Sequence, residues 1–336
     1  MHNLGGRSPF RAYILSNIMN NTNNTTQSIT KLFDIKYPII CGGMIWVSGH
    51  KLATACAHAG IMGLIGAGSM KPELLKQHLE KIPAGTNVGI NIPLLYPDSQ
   101  QQIELALKYG IRIFFTSAGS PKKYTSWLKE QGCTVAHVTS SPKLAAKCQA
   151  AGVDAIVAEG VEAGGHNGRD EITTMALIPQ VVDAVDIPVI AAGGIGDGRG
   201  IAAAFALGAS GVQMGTRFAA SVESSAHPNF KQEIVKTQSD STYLALKTVT
   251  PVRLIKNQFA TEIIALEQQG ATSDKLAEKL GKGRARLGML EGDITKGELE
   301  IGQISGLIKE LSPVEQIVSN LVSEYQSAVA TLPKVL

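Results

Sequence analysis

One recurrence narrows the fold more than any other feature of this chain. From residue 37 onward, short β-rich apolar runs end in glycine or a small polar residue, and a helical stretch follows. The runs are 38–42, 63–65, 88–91, 111–116, 134–138, 155–159, 189–192 and 212–214. Their starts recur at intervals of roughly 20–30 residues, as βα units require. They are mostly apolar rather than alternating, the pattern of parallel strands buried on both faces. Helical stretches such as 51–59, 72–81, 99–109, 143–151 and 200–207 lie between them. Ser141-Pro142 opens one with a capping residue and a proline in the first turn. Eight such units predict an α/β fold, a closed (β/α)8 TIM barrel. A doubly wound open sheet would carry one glycine fingerprint after its first strand. Here glycine and small polar residues follow nearly every strand, at the rim where a barrel keeps its active site.

The barrel pattern occupies 29–235. After about residue 235 the period breaks down. Stretches 261–269 and 273–280 look helical, joined to a basic link, Gly281-Lys282-Gly283-Arg284-Ala285-Arg286. Residues 236–300 are read as a small helical lid or substrate subdomain over the barrel mouth. Residues 301–336 are read as C-terminal helices returning to the barrel. Residues 1–28 are polar and rich in Asn and Thr, and are expected to be a disordered extension. Its cluster Ala12-Tyr13-Ile14-Leu15 is too short for a signal-peptide core, so the sequons at Asn20, Asn23 and Asn24 carry little weight. Met19 is a second candidate start, because the folded pattern begins only near Ile29.

Composition removes several classes. Hydrophobic residues make up 44% of the 336, enough for a large core. The net charge of +3 arises from 31 basic and 28 acidic residues that are interspersed, leaving no nucleic-acid footprint. Cys41, Cys56, Cys133 and Cys148 lie far apart, so neither a metal site nor a disulfide framework is expected, and reduced thiols point to the cytoplasm. No apolar run reaches the ~18 residues of a membrane helix.

The glycines point to chemistry. Ala191-Ala192-Gly193-Gly194-Ile195 ends the seventh run and Met214-Gly215-Thr216-Arg217 the eighth. Loops at these two places commonly bind phosphate in such barrels, because bare peptide N–H groups form an anion nest. One Gly-Gly pair alone is as well explained by a tight turn; two adjacent stretches favour phosphate, with Thr216 adding a hydroxyl. Gly42-Gly43-Met44, Gly66-Ala67-Gly68, Asn91 and Ser117-Ala118-Gly119 bring small residues to the same rim, which suits a flat ring with Asn91 on its polar edge. Glu159 closes a buried strand and needs a partner, either a hydroxyl-rich ligand or a nearby donor. His166 follows Gly164-Gly165 in a polar loop at the catalytic rim, where it can donate a proton or hydrogen bond. His50, His58, His78 and His137 fit structural roles; His227 fits either.

These residues resemble the FMN-dependent nitronate monooxygenase family, formerly called 2-nitropropane dioxygenases, which includes the FabK-type enoyl-acyl carrier protein reductases. The resemblance spans about residues 30–325. It rests on Tyr37-Pro38-Ile39 with Gly42-Gly43-Met44, Glu162-Ala163-Gly164-Gly165-His166, Ala191-Ala192-Gly193-Gly194-Ile195 and Met214-Gly215-Thr216-Arg217-Phe218. It implies an FMN with its phosphate on Gly193, Gly194, Gly215 and Thr216. The ring would lie near Gly43, Met44, Asn91, Ala118 and Gly165, with Gly164 also in contact with the cofactor, Glu159 near the ribityl chain and His166 as the active-site histidine. Thr173-Thr174-Met175, Ala226-His227-Pro228-Asn229-Phe230, Arg253-Leu254-Ile255-Lys256-Asn257, Gly292-Asp293 and Gly302-Gln303-Ile304-Ser305-Gly306-Leu307 look closer to the reductase branch. Thr248-Val249-Thr250 before Pro251 departs from the Gly-His pair of many such reductases. The resemblance therefore implies an NADH- or NADPH-dependent reductase acting on a small or acyl-carrier-bound enoyl substrate, with no nucleic-acid or membrane partner and with a homodimer among the assemblies open to it. The alternatives are oxidation of alkyl nitronates with O2, and a flavin-binding barrel without turnover. An IMP-dehydrogenase-like enzyme ranks lower, because Cys41 ends a strand instead of sitting on a mobile loop.

Overall fold

A computed structural model describes residues 29–333. The expectations about 1–28 lie outside the described residues. The first six strands are β1 (Ile39–Cys41), β2 (Met62–Gly66), β3 (Val88–Pro93), β4 (Ile113–Ser117), β5 (Thr134–Thr139) and β6 (Ala155–Glu159). A short β7 (Gly165–His166) stands apart, followed by β8 (Val189–Ala192) and β9 (Gly211–Met214). All except β7 close one parallel barrel, β9 returning to β1 through Ile39↔Val212 and Cys41↔Met214. These eight strands coincide with the eight apolar runs, and the architecture is the (β/α)8 barrel.

Alternation along each strand sorts its side chains. Met62 and Leu64 of β2 join Ile190 and Ala192 of β8 in the barrel interior, while Ile65, Val189 and Ala191 pack outward against the helices. A helical turn over 29–33 closes the bottom. Ile29 and Phe33 are fully buried in the interior cluster, and the Phe33 ring lies 5.3 Å from Phe115. Asn87 Nδ2 fixes this plug by donating to the carbonyls of Phe33 and Asp34 at 2.8 and 2.9 Å. The barrel is thus a packed core, and ligand space is confined to the C-terminal ends of its strands.

The eighth unit is interrupted. β9 runs into a short helix, Thr216–Ala219, but the helix that completes the wall is Val314–Thr331. It packs on the helices Gly198–Ala206 and His50–His58. Glu324 Oε2 accepts the Gly198 N–H at 2.9 Å, and Tyr325 meets Phe205 edge-on at 5.6 Å.

The intervening chain differs from the purely helical reading. The helices Gln258–Gln268 and Ser273–Leu280 are present, but β10 (Thr242–Ala245) and β11 (Val252–Ile255) precede them as an antiparallel pair. Each strand is four residues, too short to show a period. Tertiary packing makes them strands: Ala245, Val252 and Leu254 bury against Phe259, Ile263 and Leu276. β11 then pairs with β7 through Val252↔His166 and Arg253↔Gly165. Residues Gln303–Leu307 form a 3₁₀ turn in place of the expected helix. Among the described residues, no helix is long and apolar enough to cross a membrane.

Candidate active site at the barrel mouth

The strand ends and the loop carrying β7 enclose a cavity of about 1020 Å³. The residues expected at the flavin and His166 line it, whereas Gly66, Ala67 and Gly68 do not: Gly66 packs against the Met44 backbone instead. Gly43 and Met44 follow β1, Asn91 lies on β3, Ala118 follows β4, and Glu159 ends β6. Gly164, Gly165 and His166 come from the next loop, Gly193 and Gly194 follow β8, and Gly215 and Thr216 follow β9.

One wall is bare backbone. Gly193 and Gly194 have φ of +82° and +69°, and a Cβ on Gly193 would stand 2.7 Å from the Gly160 carbonyl oxygen. Only glycine fits there without strain. Among the described residues, the amides of Gly193, Gly194 and Gly215 donate to no turn, loop or side-chain acceptor. Such amides in successive turns form an anion-binding concavity. Thr216 has a second duty: its Oγ1 accepts the Gly302 N–H at 3.0 Å, leaving its hydrogen to donate. Gly164 and Gly165 also have one. A Cβ on Gly164 would stand 2.4 Å from the Ile301 carbonyl carbon, and one on Gly165 2.5 Å from Glu300 Oε2. The pair lets segment 300–302 pass directly against the His166 loop.

The other wall is titratable. Glu159 is half-buried, and burial pushes its carboxyl up to about 7. His166 is exposed, and desolvation by the surrounding protein lowers its pKa while the charge of Glu298 opposes that shift. Glu298 is 6% exposed, and burial, reinforced by Glu300, pushes it up to about 8. Burial likewise raises Glu300 to about 7. Sequence reasoning missed this pair. The available sign was the alternation Glu298-Leu299-Glu300-Ile301, in which Leu299 and Ile301 are each 1% exposed. That alternation puts both carboxyls on the opposite face.

Two more residues set the loop. The Glu162 carboxylate accepts the Thr174 N–H at 2.9 and 3.0 Å, capping the helix Thr174–Val182. Arg253 is buried and donates from Nε and Nη2 to the Val161 carbonyl at 3.0 and 2.9 Å, tying the β10–β11 hairpin to the same loop. Elsewhere, His137 is buried with Nδ1 2.7 Å from Thr116 Oγ1, and burial drops its pKa to about 4, so it stays neutral. His227 proves structural, since its Nδ1 accepts the Asn229 N–H and caps the helix Pro228–Lys236. Arg284 donates to the carbonyls of Leu280 and Lys296, and Arg286 pairs with Glu291 at 2.9 Å and lies 6.0 Å over the Trp46 ring of the barrel; both arginines of the basic link are engaged.

The cavity's donor set fits a polar, phosphate-bearing cofactor. Seven buried side-chain polar atoms lack a partner among the described residues, and four belong to cavity-lining residues: Thr139 Oγ1, Asn167 Oδ1, Gln213 Oε1 and Glu300 Oε1. Burying such atoms unpaired is costly, so their concentration here marks a place built around polar contacts.

The fold and site define a (β/α)8 barrel whose mouth has bare backbone after its last two strands. The nitronate monooxygenase family profile matches residues 26–102 and 87–324, and the chain belongs to that family of flavoprotein oxidoreductases. The solved structure of FabK from Thermotoga maritima shares 41% identity and a TM-score of 0.86, covering 90% of this chain and 97% of that one. A Mycobacterium tuberculosis relative, (3aS,4S,5R,7aS)-5-hydroxy-7a-methyl-1-oxo-octahydro-1H-indene-4-carboxyl-CoA dehydrogenase, is 30% identical over 88% of this chain and 94% of its own. A Bacillus subtilis protein named probable nitronate monooxygenase is 32% identical over 88% and 97%.

Proposed function

We propose that this chain is an FMN-dependent reductase of enoyl thioesters that draws its reducing equivalents from NADH or NADPH. The observation that carries the reading is the charge around His166. Glu159, Glu162 and Glu300 line the cavity, Glu298 stands behind them, and among the described residues the only lysines or arginines lining it are Lys122, in the turn Pro121–Lys123, and Lys147, in the helix Pro142–Ala150. An anionic nitronate at His166 would meet carboxyls without a fixed cation, whereas a neutral conjugated thioester meets groups able to donate hydrogen bonds. The 41% identity to the Thermotoga maritima FabK supports the same reading.

In this proposal the amides of Gly193, Gly194 and Gly215 and the Thr216 hydroxyl hold the FMN phosphate. Glu159, kept partly protonated near neutrality, meets the ribityl hydroxyls. When bound, the flavin supplies two-electron hydride transfer. Reducing the double bond takes up one hydride and one proton, and His166 holds the proton or donates a hydrogen bond to the thioester. The four free, buried cysteines fit a reducing cytoplasm. Nitronate oxidation is the second reading, favoured by the name of the Bacillus subtilis relative. Anaerobic mixing with NADH or NADPH separates the two. Rapid bleaching of the flavin, followed by reoxidation on adding an enoyl thioester, is the expected result. Bleaching by an alkyl nitronate but by neither nucleotide would overturn it.

A further inference from the structure

Glu159, His166 and the glycine cradle line only the inner part of the cavity. Past the ends of β4 and β5, the same cavity runs out between the turn Pro121–Lys123 and the helix Pro142–Ala150. Ser120, Lys122, Ser140, Leu144 and Lys147 line this arm. Lys122 and Lys147 are exposed, and among the described residues neither forms an ion pair. The cavity's three acidic lining residues belong to the end of β6, the loop after it and segment 300–302, and none lines the arm. One continuous space is therefore polarised, with half-buried carboxyls near His166 and unpaired ammonium groups along its exit.

Two further features bear on what lies there. The rim is apolar: Leu95 is 77% exposed and Leu144 44%, and both line the cavity. The helix Pro142–Ala150 begins at Ser141, whose side chain caps no amide, so its first-turn N–H groups add to the positive end. A long ligand with a neutral head, an apolar middle and a phosphate tail matches this order. A nicotinamide nucleotide matches it less well, because ribose diols are typically held by Asp or Glu, and the arm has neither.

We propose that Lys122 and Lys147 form the subsite for the phosphate of a phosphopantetheine arm, with Leu95 and Leu144 against its chain and the acyl thioester directed toward His166. The direction of the acyl head rests on the reductase reading; the phosphate subsite does not.

The test is calorimetric titration of the flavin-loaded enzyme with 4′-phosphopantetheine, with pantetheine and with NADPH. Wild type is expected to bind 4′-phosphopantetheine roughly tenfold more tightly than pantetheine, as two charge-assisted contacts allow. The preference should shrink as salt rises from about 0.05 to 0.5 M. The exposed double variant Lys122→Glu/Lys147→Glu should erase it. Equal binding of the two pantetheines by wild type, no binding of the phosphorylated one, or a preference that survives in the variant would each overturn the subsite. So would a variant that loses only NADPH, which would assign the lysines to the nucleotide. Turnover of an enoyl N-acetylcysteamine thioester, which has no phosphate, reports on the reductase reading separately.

Discussion

The barrel rim and the insertion between residues 220 and 313 wall the same cavity by different means. The rim offers peptide groups, at Gly193, Gly194 and Gly215, held by short strands that the barrel fixes on both sides. The insertion offers side chains and support, through β11 beneath β7, Arg253 on Val161, and Glu298 and Glu300 beside His166. The rim is thus the part equipped to hold a cofactor. The insertion is equipped to set the charge and position of the reacting loop.

The strongest attack on this division is His166→Ala. It should lower kcat by about 10²–10⁴-fold while the protein stays folded and yellow. His166→Asn keeps a donor that cannot titrate, and recovery of most activity would make His166 a hydrogen-bonding group alone. If both variants turn over like wild type, the insertion supports a loop without chemistry.

Gly194→Asp attacks the rim. It forces an L side chain into φ +69° and puts a carboxylate near Glu162 at the cradle. Flavin affinity should fall about 100-fold or more, read as lost visible absorbance after gel filtration. A holoprotein with normal affinity would remove the cradle.

Deleting 236–300 would be a poor test, since it strips β7 of its partner strand. Arg253→Met is sharper. It removes both hydrogen bonds to the Val161 carbonyl, and kcat should drop roughly tenfold with flavin retained. Equal loss of flavin and turnover would blur the two regions into one.

The smallest effect concerns stability. The folded-state values of Glu298 and Glu300, about 8 and 7, stand above the ordinary 4.5. Folding therefore binds protons, and this contribution, fully present below pH 4.5, is lost as pH rises through 7 and 8. Glu298→Gln should stabilise the protein at pH above 8 by about 1 kcal/mol or more and change little near pH 5, as measured by thermal unfolding. A variant stabilised equally at both would place its effect in packing.

The same contrast decides what could be read in advance. Gly193 and Gly215 stand beside apolar runs, and the φ of +82° demands glycine at the first, so a linear reading finds both the strand and the cradle. Four-residue β10 and β11 owe their strand form to Phe259, Ile263 and Leu276 and to the distant β7, none of which a local window contains. Glu300 is invisible as a site residue for the same reason: it meets Gly165 only because the chain returns across the loop. Gly164 and Gly165 were legible as glycines, but the contact with segment 300–302 that requires them was not.

The placement of the helix Val314–Thr331 also bears on how the chain comes into being. Its buried face, Val314, Ile317, Val318 and Leu321, seals the seam beside the helices His50–His58 and Gly198–Ala206. During synthesis those two helices emerge long before it, separated from it by the whole insertion. At typical elongation rates of about 5–20 residues per second, the seam waits roughly 5–20 s for its cover. The ribosome therefore releases a barrel that is open along one side until its last stretch arrives, and the interval falls to whatever shields apolar surface on a nascent chain.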